Sequence, residues 1–260
     1  MSGIALDDRG LTLGDGLFET LLARDGALVA FDAHLARMIG GCAVLGLPAP
    51  DAAAARALCE AALAEAGLTA TRAAVRLTLT AGSGGRGLDR PAEPVPRLFA
   101  TAAAAPRPTG PARLATAATR RNDASAASRL KSLAYLDNIL ARREAQGAGA
   151  DEAVMLNTRG EVACAAVANL VWRQDGRLFT PALECGVLDG IVRQALLAAA
   201  RREGRAIEEV RAGGEALAAA DAVVLTNSLV GVRPVGALDG RALASDDLAQ
   251  TLAGLVGDLT

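Results

Sequence analysis

One basic residue of the sequence differs from all the others in its chemistry. Of the 27 Lys and Arg residues, 26 are arginines and one is a lysine, Lys131. A guanidinium keeps its proton in a protein, whereas a desolvated lysine amine can lose it and form Schiff bases with carbonyl compounds. Lys131 is therefore the candidate for amine chemistry. The alternative is a lysine retained by chance on a helix surface.

A phosphorylated carbonyl compound bound to Lys131 would need residues that hold its phosphate. Phosphate favours the free amides of a helix N-terminus and the paired donors of an arginine. Gly190 is predicted to begin a helix, which offers the amides of Ile191 and Val192. Arg37, on a predicted helix, offers a cation, and Ser228, after a predicted buried strand, offers a hydroxyl. Taken singly, each feature is also typical of ordinary structure.

The elements that carry these residues predict an α+β fold. Residues 74–80 alternate apolar and polar side chains, as a half-buried strand does. A helix is predicted over residues 132–146, directly after Lys131. The Pro-rich stretch 105–111 predicts a linker. It would separate a small α+β N-terminal domain, residues 1–106, from a larger α/β C-terminal domain, residues 112–260.

Composition excludes several classes of protein. The chain has 260 residues and a formal net charge of -2, so neither nucleic acid nor an anionic membrane is expected as its partner. Its apolar runs are too short for a transmembrane helix, and its N-terminus lacks the pattern of an export signal. Four scattered cysteines predict neither a disulfide framework nor a metal site. We expect a cytoplasmic protein.

Four motifs, in order along the chain, resemble one family. They are GDGLFET at residues 14–20, HLARM at 34–38, KSL at 131–133 and GVLDGI at 186–191. Together they look like the class IV aminotransferases, which are pyridoxal-phosphate enzymes of fold type IV. The family includes branched-chain and D-amino acid aminotransferases and aminodeoxychorismate lyase. The similarity runs from about residue 8 to residue 236, and the lysine position of the family falls on Lys131.

The resemblance implies a fold and a set of roles. It implies a two-domain D-amino acid aminotransferase-like fold, with the cofactor between the domains, in a homodimer that acts on a small amino substrate. Lys131 would hold pyridoxal 5'-phosphate as a Schiff base and move the proton. Leu188 would pack against the pyridine ring. The phosphate would be held by Arg37, Ile191, Val192 and Ser228.

The loop at residues 80–88 and the segment at 226–235 resemble aminodeoxychorismate lyase more than the transaminases. That lyase converts 4-amino-4-deoxychorismate to 4-aminobenzoate and pyruvate, a step toward folate. Its substrate is a dicarboxylate, so Arg86 is a candidate carboxylate ligand, and Asn227 is a second candidate for the substrate. Arg86 can equally be an exposed loop residue. A D-amino acid or branched-chain transaminase is the alternative activity.

Three positions depart from the family pattern. Ala81 and Leu88 stand where the lyase loop has Arg and Tyr. The third is Cys164, where the family has the Glu that pairs with the pyridine nitrogen. Glu161 does not replace it, because an odd offset along a strand points to the opposite face.

The change at Cys164 predicts a cofactor that binds but accepts electrons poorly. The family carboxylate keeps the pyridine nitrogen protonated, which makes the ring an electron acceptor. A thiol is only a weak donor and acceptor. We therefore expect slow transamination or a reaction that demands less of the ring. A catalytically weak or inactive relative is the further alternative.

Overall fold

The computed structural model describes residues 3–259 (for residue 258, the backbone alone), and the chain divides into two compact units. The N-terminal unit ends at Pro106 and also takes in Leu130–Ala134. The C-terminal unit comprises Arg107–Arg129 and the chain from Tyr135 onward. The mixed helices and sheets confirm the α+β prediction. Within the described residues, the helices are too short or too polar to span a bilayer.

The N-terminal unit is built around an antiparallel sheet with the strand order β2-β1-β3-β4. Its elements are α1 (Arg9–Leu13), β1 (Gly16–Arg24), β2 (Ala27–Leu28), α2 (Phe31–Leu45), α3 (Ala52–Glu65), β3 (Ala73–Thr80) and β4 (Arg97–Ala104). Asp25 and Gly26 both have positive φ, as the tight turn between β1 and β2 requires. The Asp51 side chain caps α3 by accepting a hydrogen bond from the Ala54 amide.

Alternate residues of β1 face the helices. Leu17 and Leu21 are buried in one core cluster with Leu35 and Met38 of α2. Because side chains of a strand alternate between its two faces, Glu19 lies on this same face. A carboxylate is thereby placed in the apolar layer between β1 and α2.

The C-terminal unit contains a larger sheet with the strand order β10-β9-β8-β11-β12-β5-β6-β7, and β13 pairs with β12. Its elements are β5 (Ala112–Thr116), α4 (Ala126–Arg129), α5 (Leu136–Gly147), β6 (Glu152–Leu156), β7 (Val162–Ala165), β8 (Asn169–Gln174), β9 (Arg177–Pro181), α6 (Ile191–Arg202), β10 (Ile207–Val210), α7 (Gly214–Ala218), β11 (Ala222–Asn227), β12 (Gly231–Leu238), β13 (Arg241–Ala242) and α8 (Asp246–Val256).

The alternation of β11 separates two cores of this unit. Val224 packs with Leu196 of α6 and Leu252 of α8 in one cluster, whereas Val223 packs with Trp172 in another. Helix α6 is thus fixed against the central strands. Its N-terminus lies beside the start of β8, because the Asn169 side chain of β8 donates a hydrogen bond to the Leu188 carbonyl.

The segment Leu130–Ala134 differs from the sequence prediction. The Phe18 amide donates to the Lys131 carbonyl at 2.9 Å, and the Leu133 amide donates to the Gly16 carbonyl at 3.0 Å. This pairing with β1 satisfies the backbone of residues that were predicted to begin a helix, and α5 starts only at Leu136. The segment that carries Lys131 therefore belongs to the N-terminal unit, although it was expected within residues 112–260.

Candidate active site

Lys131 is held beside β1 in the N-terminal unit. Its carbonyl accepts the Phe18 amide, and its ammonium lies 4.3 Å from the centre of the Phe18 ring. The Arg76 guanidinium lies 3.6 Å from the same ring centre. Lys131 is half-buried, so the alternative of a lysine on a helix surface is wrong. A half-buried amine held in place by a paired backbone is suited to nucleophilic chemistry.

Arg37 is anchored by Glu19. Its Nε and Nη2 atoms donate to the two oxygens of Glu19 at 2.8 and 2.6 Å. His34 Nδ1 donates to the same carboxylate at 2.7 Å, and both Glu19 and His34 are 1 % exposed. Burial opposes ionisation of Glu19, but the hydrogen bonds from Arg37 and His34 outweigh it, so the pKa of Glu19 lies below its ordinary value. The guanidinium is thereby fixed in one orientation.

The arrangement follows from two local spacings. Glu19 faces α2 because it shares the core-facing side of β1 with Leu17 and Leu21. His34 and Arg37 are three residues apart on α2, so both reach the same face of the helix. Sequence reasoning missed Glu19. The signal was present, since a carboxylate on the core-facing side of an apolar strand requires a cationic partner.

Arg86 lies in an exposed loop whose end is tied down by ion pairs. Asp15 pairs with Arg9 at 3.0 Å and also with Arg90. The Arg9 guanidinium donates to the Leu88 carbonyl at 2.8 Å and to the Asp89 carbonyl at 3.0 Å. The side-chain hydrogen bond from Arg90 has the largest effect on Asp15 and holds its pKa below the ordinary value. Arg86 is therefore presented on an anchored turn.

The N-terminus of α6 is shaped for close approach. Gly190 occupies the cap position. Among residues 3–259, no side chain caps the first amides of the helix, which include those of Ile191 and Val192. A Cβ at Gly190 would overlap Asn169 Oδ1. Asn169 Nδ2 donates to the Leu188 carbonyl at 2.9 Å. Asn169, which sequence reasoning missed, thus positions the segment from Leu188 to Val192.

The end of β11 lies next to this helix start. Thr226 pairs with Asn169 across β11 and β8, and the Thr226 hydroxyl oxygen is buried without a hydrogen-bond partner among the described residues. Asn227 Oδ1 accepts from the amides of Leu229 and Val230, and its Nδ2 donates to the Val167 carbonyl at 3.1 Å. Asn227 therefore shapes the turn that holds Ser228, and its role toward substrate stays a prediction.

Cys164 lies in the sheet of the C-terminal unit. It pairs with Met155 across β7 and β6 and packs among small apolar side chains. Burial is the main influence on its thiol and raises its pKa. Glu161 accepts from Asn157 Nδ2 at 2.7 Å and pairs with Arg211 at 2.8 Å. Glu161 is thus committed elsewhere, in agreement with its odd offset from Cys164.

The predicted site residues form one group in each unit. The N-terminal unit holds Lys131 and Arg37 at the consecutive residues Phe18 and Glu19 of β1. The C-terminal unit brings Leu188, Ile191 and Val192 close to the turn of Ser228. Arg86 lies on its anchored turn in the N-terminal unit, and Cys164 packs in the same core cluster as Val187, which precedes Leu188.

These groups test whether the cofactor implied by the motifs fits the chain. Uncapped amides at α6, a buried hydroxyl of Thr226 without a partner and an anchored Arg37 all suit a phosphate. Lys131 suits an aldehyde. Cys164 does not suit a protonated ring nitrogen, because a thiol carries no compensating charge at its raised pKa. The phosphate and aldehyde ends fit, and the nitrogen end departs from the family.

Comparisons with known proteins identify the family of the chain. The family model for amino-transferase class IV matches residues 16–238. The crystal structure of 4-amino-4-deoxychorismate lyase from Pseudomonas aeruginosa is 35% identical, with a TM-score of 0.84 over 99% of this chain and 96% of that one. A hypothetical aminotransferase from Mycobacterium tuberculosis in its PLP-bound form is 27% identical, with a TM-score of 0.87 over 100% of this chain and 93% of that one.

A relative with a different activity is nearly as similar. The D-alanine aminotransferase of Listeria monocytogenes is 28% identical, and the match covers 91% of this chain and 83% of that protein. The family and the fold-type IV prediction are confirmed, and so is a pyridoxal-phosphate-dependent enzyme. The chain belongs to the class IV aminotransferase family.

Proposed function

We propose that the chain is an aminodeoxychorismate lyase, which converts 4-amino-4-deoxychorismate to 4-aminobenzoate and pyruvate. The observation that carries the proposal is the 35% identity with the Pseudomonas aeruginosa lyase over almost the full length of both chains. The glycine-rich loop around Arg86 supports it, since this loop resembles the lyase pattern.

Each site residue has a proposed task. Lys131 supplies the amine that holds the cofactor and then moves the proton. Leu188 packs against the ring, and the phosphate is held by Arg37, by the amides of Ile191 and Val192 and by the Ser228 hydroxyl. The cofactor, when bound, supplies an aldehyde that takes up the amino group of the substrate and a ring that accepts electrons. Glu19 keeps the Arg37 guanidinium oriented for that task.

Cys164 favours the lyase over a transaminase. Without the family carboxylate, the cofactor ring is a weaker electron acceptor. A reaction that is driven by the stability of its own product is least affected by this change. Formation of 4-aminobenzoate creates an aromatic ring and provides that driving force. Transamination forms no aromatic product and depends more strongly on the cofactor ring.

Arg86 and Asn227 are the proposed substrate-side residues. Arg86 is exposed, and its turn is anchored by the hydrogen bonds of Arg9. A guanidinium on an anchored turn can bind one carboxylate of a dicarboxylate substrate with both arms. Asn227 contributes through the turn that it shapes.

The test supplies the reconstituted protein with two sets of substrates. Pyruvate release from 4-amino-4-deoxychorismate supports the proposal. Glutamate formation from D-amino or branched-chain amino acids with 2-oxoglutarate would show instead that the chain is a transaminase. Bound cofactor without either product would indicate the inactive relative.

Arg86→Gln is expected to raise KM for the dicarboxylate about tenfold, which corresponds to the loss of about 1.4 kcal/mol of binding free energy. Arg202→Gln, an exposed arginine on α6, is the control and should leave KM unchanged.

We also propose a homodimer in the cytoplasm. Leu136, Ile139 and Leu140 are exposed on one side of α5, at helical spacing, which suits burial against a second copy. The four cysteines are free, as is usual in a reducing compartment. Light scattering on the eluted protein tests the dimer, and a monomer at micromolar concentration would contradict it.

A further inference from the structure

Arg121 is a buried cation whose hydrogen-bond partners among the described residues are all neutral. It is 7 % exposed, and its guanidinium donates to the Gly186 carbonyl at 3.1 Å, to the Ser128 carbonyl at 2.5 Å and to Asn138 Oδ1 at 3.0 Å. In the part of the chain that the structure describes, no carboxylate pairs with it. Buried charges in proteins are ordinarily paired with an opposite charge. The surroundings of Arg121 therefore lack an expected anion.

Shared contacts place the Arg121 guanidinium near Cys164. Asn138 accepts from Arg121 and donates to the Ala166 carbonyl at 2.7 Å, two residues along the chain from Cys164. Gly186, whose carbonyl also accepts from Arg121, lies between two residues that pack in the same core cluster as Cys164. The Arg121 charge also acts on the Cys164 thiol, although burial has the larger effect there.

The acidic residues around this position are engaged with other cations. Glu161 pairs with Arg211, and Asp123 pairs with Arg159 at 3.1 Å. Glu152 pairs with Arg142 at 3.0 Å and belongs to the opposite face of β6 from Met155, the partner of Cys164. Burial raises the pKa of Glu152. Of the charged groups that act on the Cys164 thiol, Arg121 has a larger effect than Glu152, which is already paired with Arg142.

We infer that Arg121 is the charged group beside the pyridine nitrogen, and that the site is built for a ring nitrogen without a proton. The inference rests on the proposed placement of the cofactor, with Cys164 at the nitrogen position. A guanidinium only donates hydrogen bonds and does not lose its proton. A nearby cation opposes protonation of a second basic group. Arg121 thus acts as a positioning residue whose charge disfavours protonation of the ring nitrogen, whereas the family carboxylate favours it.

The inference is tested with pyridoxal phosphate labelled with nitrogen-15 in the ring, bound to the intact protein. The nitrogen resonance reports protonation directly, without turnover. We expect an unprotonated nitrogen from pH 6 to pH 9 in the natural protein and in Cys164→Ser, and a protonated one in Cys164→Glu. A protonated nitrogen in the natural protein at neutral pH would overturn the inference.

Arg121→Gln separates the electrostatic role from a structural one. Loss of the cation is expected to raise the apparent pKa of the ring nitrogen by about one unit or more. If Arg121 is purely structural, Arg121→Gln will lower the free energy of unfolding and leave the nitrogen resonance unchanged. Arg202→Gln is the control for a remote charge. If Arg121→Gln does not fold, the Cys164→Ser and Cys164→Glu spectra still decide. The pyruvate assay is independent, so failure of the lyase proposal is distinguished from failure of this inference.

Discussion

Removal of the Glu19 carboxylate should uncouple phosphate recognition from the rest of cofactor binding. Glu19 accepts hydrogen bonds from Arg37 at 2.8 and 2.6 Å and from His34 at 2.7 Å. Removing one partner of such a buried pair typically costs about 3–5 kcal/mol. Glu19→Gln keeps the shape and one acceptor oxygen, so we expect a loss of about 3 kcal/mol in the free energy of unfolding.

The effect on the cofactor should be selective. Without the paired acceptor oxygens, the Arg37 guanidinium loses its fixed orientation, and the Kd for pyridoxal phosphate should rise about tenfold, or about 1.4 kcal/mol. Pyridoxal, which lacks the phosphate, should bind as before. Both constants are measured by absorbance titration, and stability is measured by urea unfolding. Asp51→Ala, which removes the cap of α3, is a control that lowers stability by about 1 kcal/mol without contacting Arg37.

The ratio of the Kd for pyridoxal phosphate to the Kd for pyridoxal shows whether Glu19 acts on phosphate binding. An unchanged ratio in Glu19→Gln would show that Glu19 is only structural. The pH dependence of folding provides a second check. Because the folded pKa of Glu19 is depressed, its stabilisation is present above the ordinary carboxyl pKa. It is lost as the pH falls through the folded value, and Glu19→Gln should lack this acid-dependent part of the unfolding free energy.

Three further substitutions have expected outcomes. Lys131→Ala should abolish the borohydride-reduced adduct, and peptide mapping of the natural protein should place that adduct on Lys131; an adduct elsewhere would refute its role. Cys164→Glu should raise kcat for transamination markedly, because that reaction depends most on the ring, whereas an unchanged kcat would refute the reasoning about the ring nitrogen. Gly190→Ala forces a Cβ against Asn169 and should cost about 1–3 kcal/mol of stability, measured by urea unfolding, together with weaker cofactor binding. Unaltered stability would show that the loop adjusts.

Local signals in the sequence predicted much of the fold. The turn at Asp25 and Gly26, the cap at Asp51 and the helix that follows Gly190 depend on neighbouring residues, and each is present in the structure. The helix predicted over residues 132–146 begins too early. Its first residues pair with β1, more than a hundred positions away, and local periodicity contains no information about that pairing.

Site residues could be predicted from the sequence where the residue type is rare in this chain. They could not be predicted where many residues of the same type are present. Lys131 was accessible as the single lysine of the sequence. Asn169 and Arg121 were not, because an asparagine and one arginine among 26 are distinguished only by their tertiary contacts. Glu19 is an intermediate case, since its burial in an apolar strand was visible but its partners were on a separate helix.

Cys164 and Arg121 should not contribute independently, and a double-mutant cycle measures how far they are coupled. A carboxylate introduced by Cys164→Glu lies beside the unpaired guanidinium, so part of its charge is neutralised by Arg121 before it reaches the ring nitrogen. In the Arg121→Gln background the same carboxylate faces no cation, and protonation of the nitrogen should be more complete. Neighbouring charges typically couple by about 0.5–3 kcal/mol. Stability should be coupled in the opposite sense. In Cys164→Glu the new carboxylate forms a buried ion pair with Arg121, and the double variant lacks this pair, so its free energy of unfolding should be lower than the sum of the single effects predicts. Additive effects in both measurements would mean that the two side chains do not sense each other.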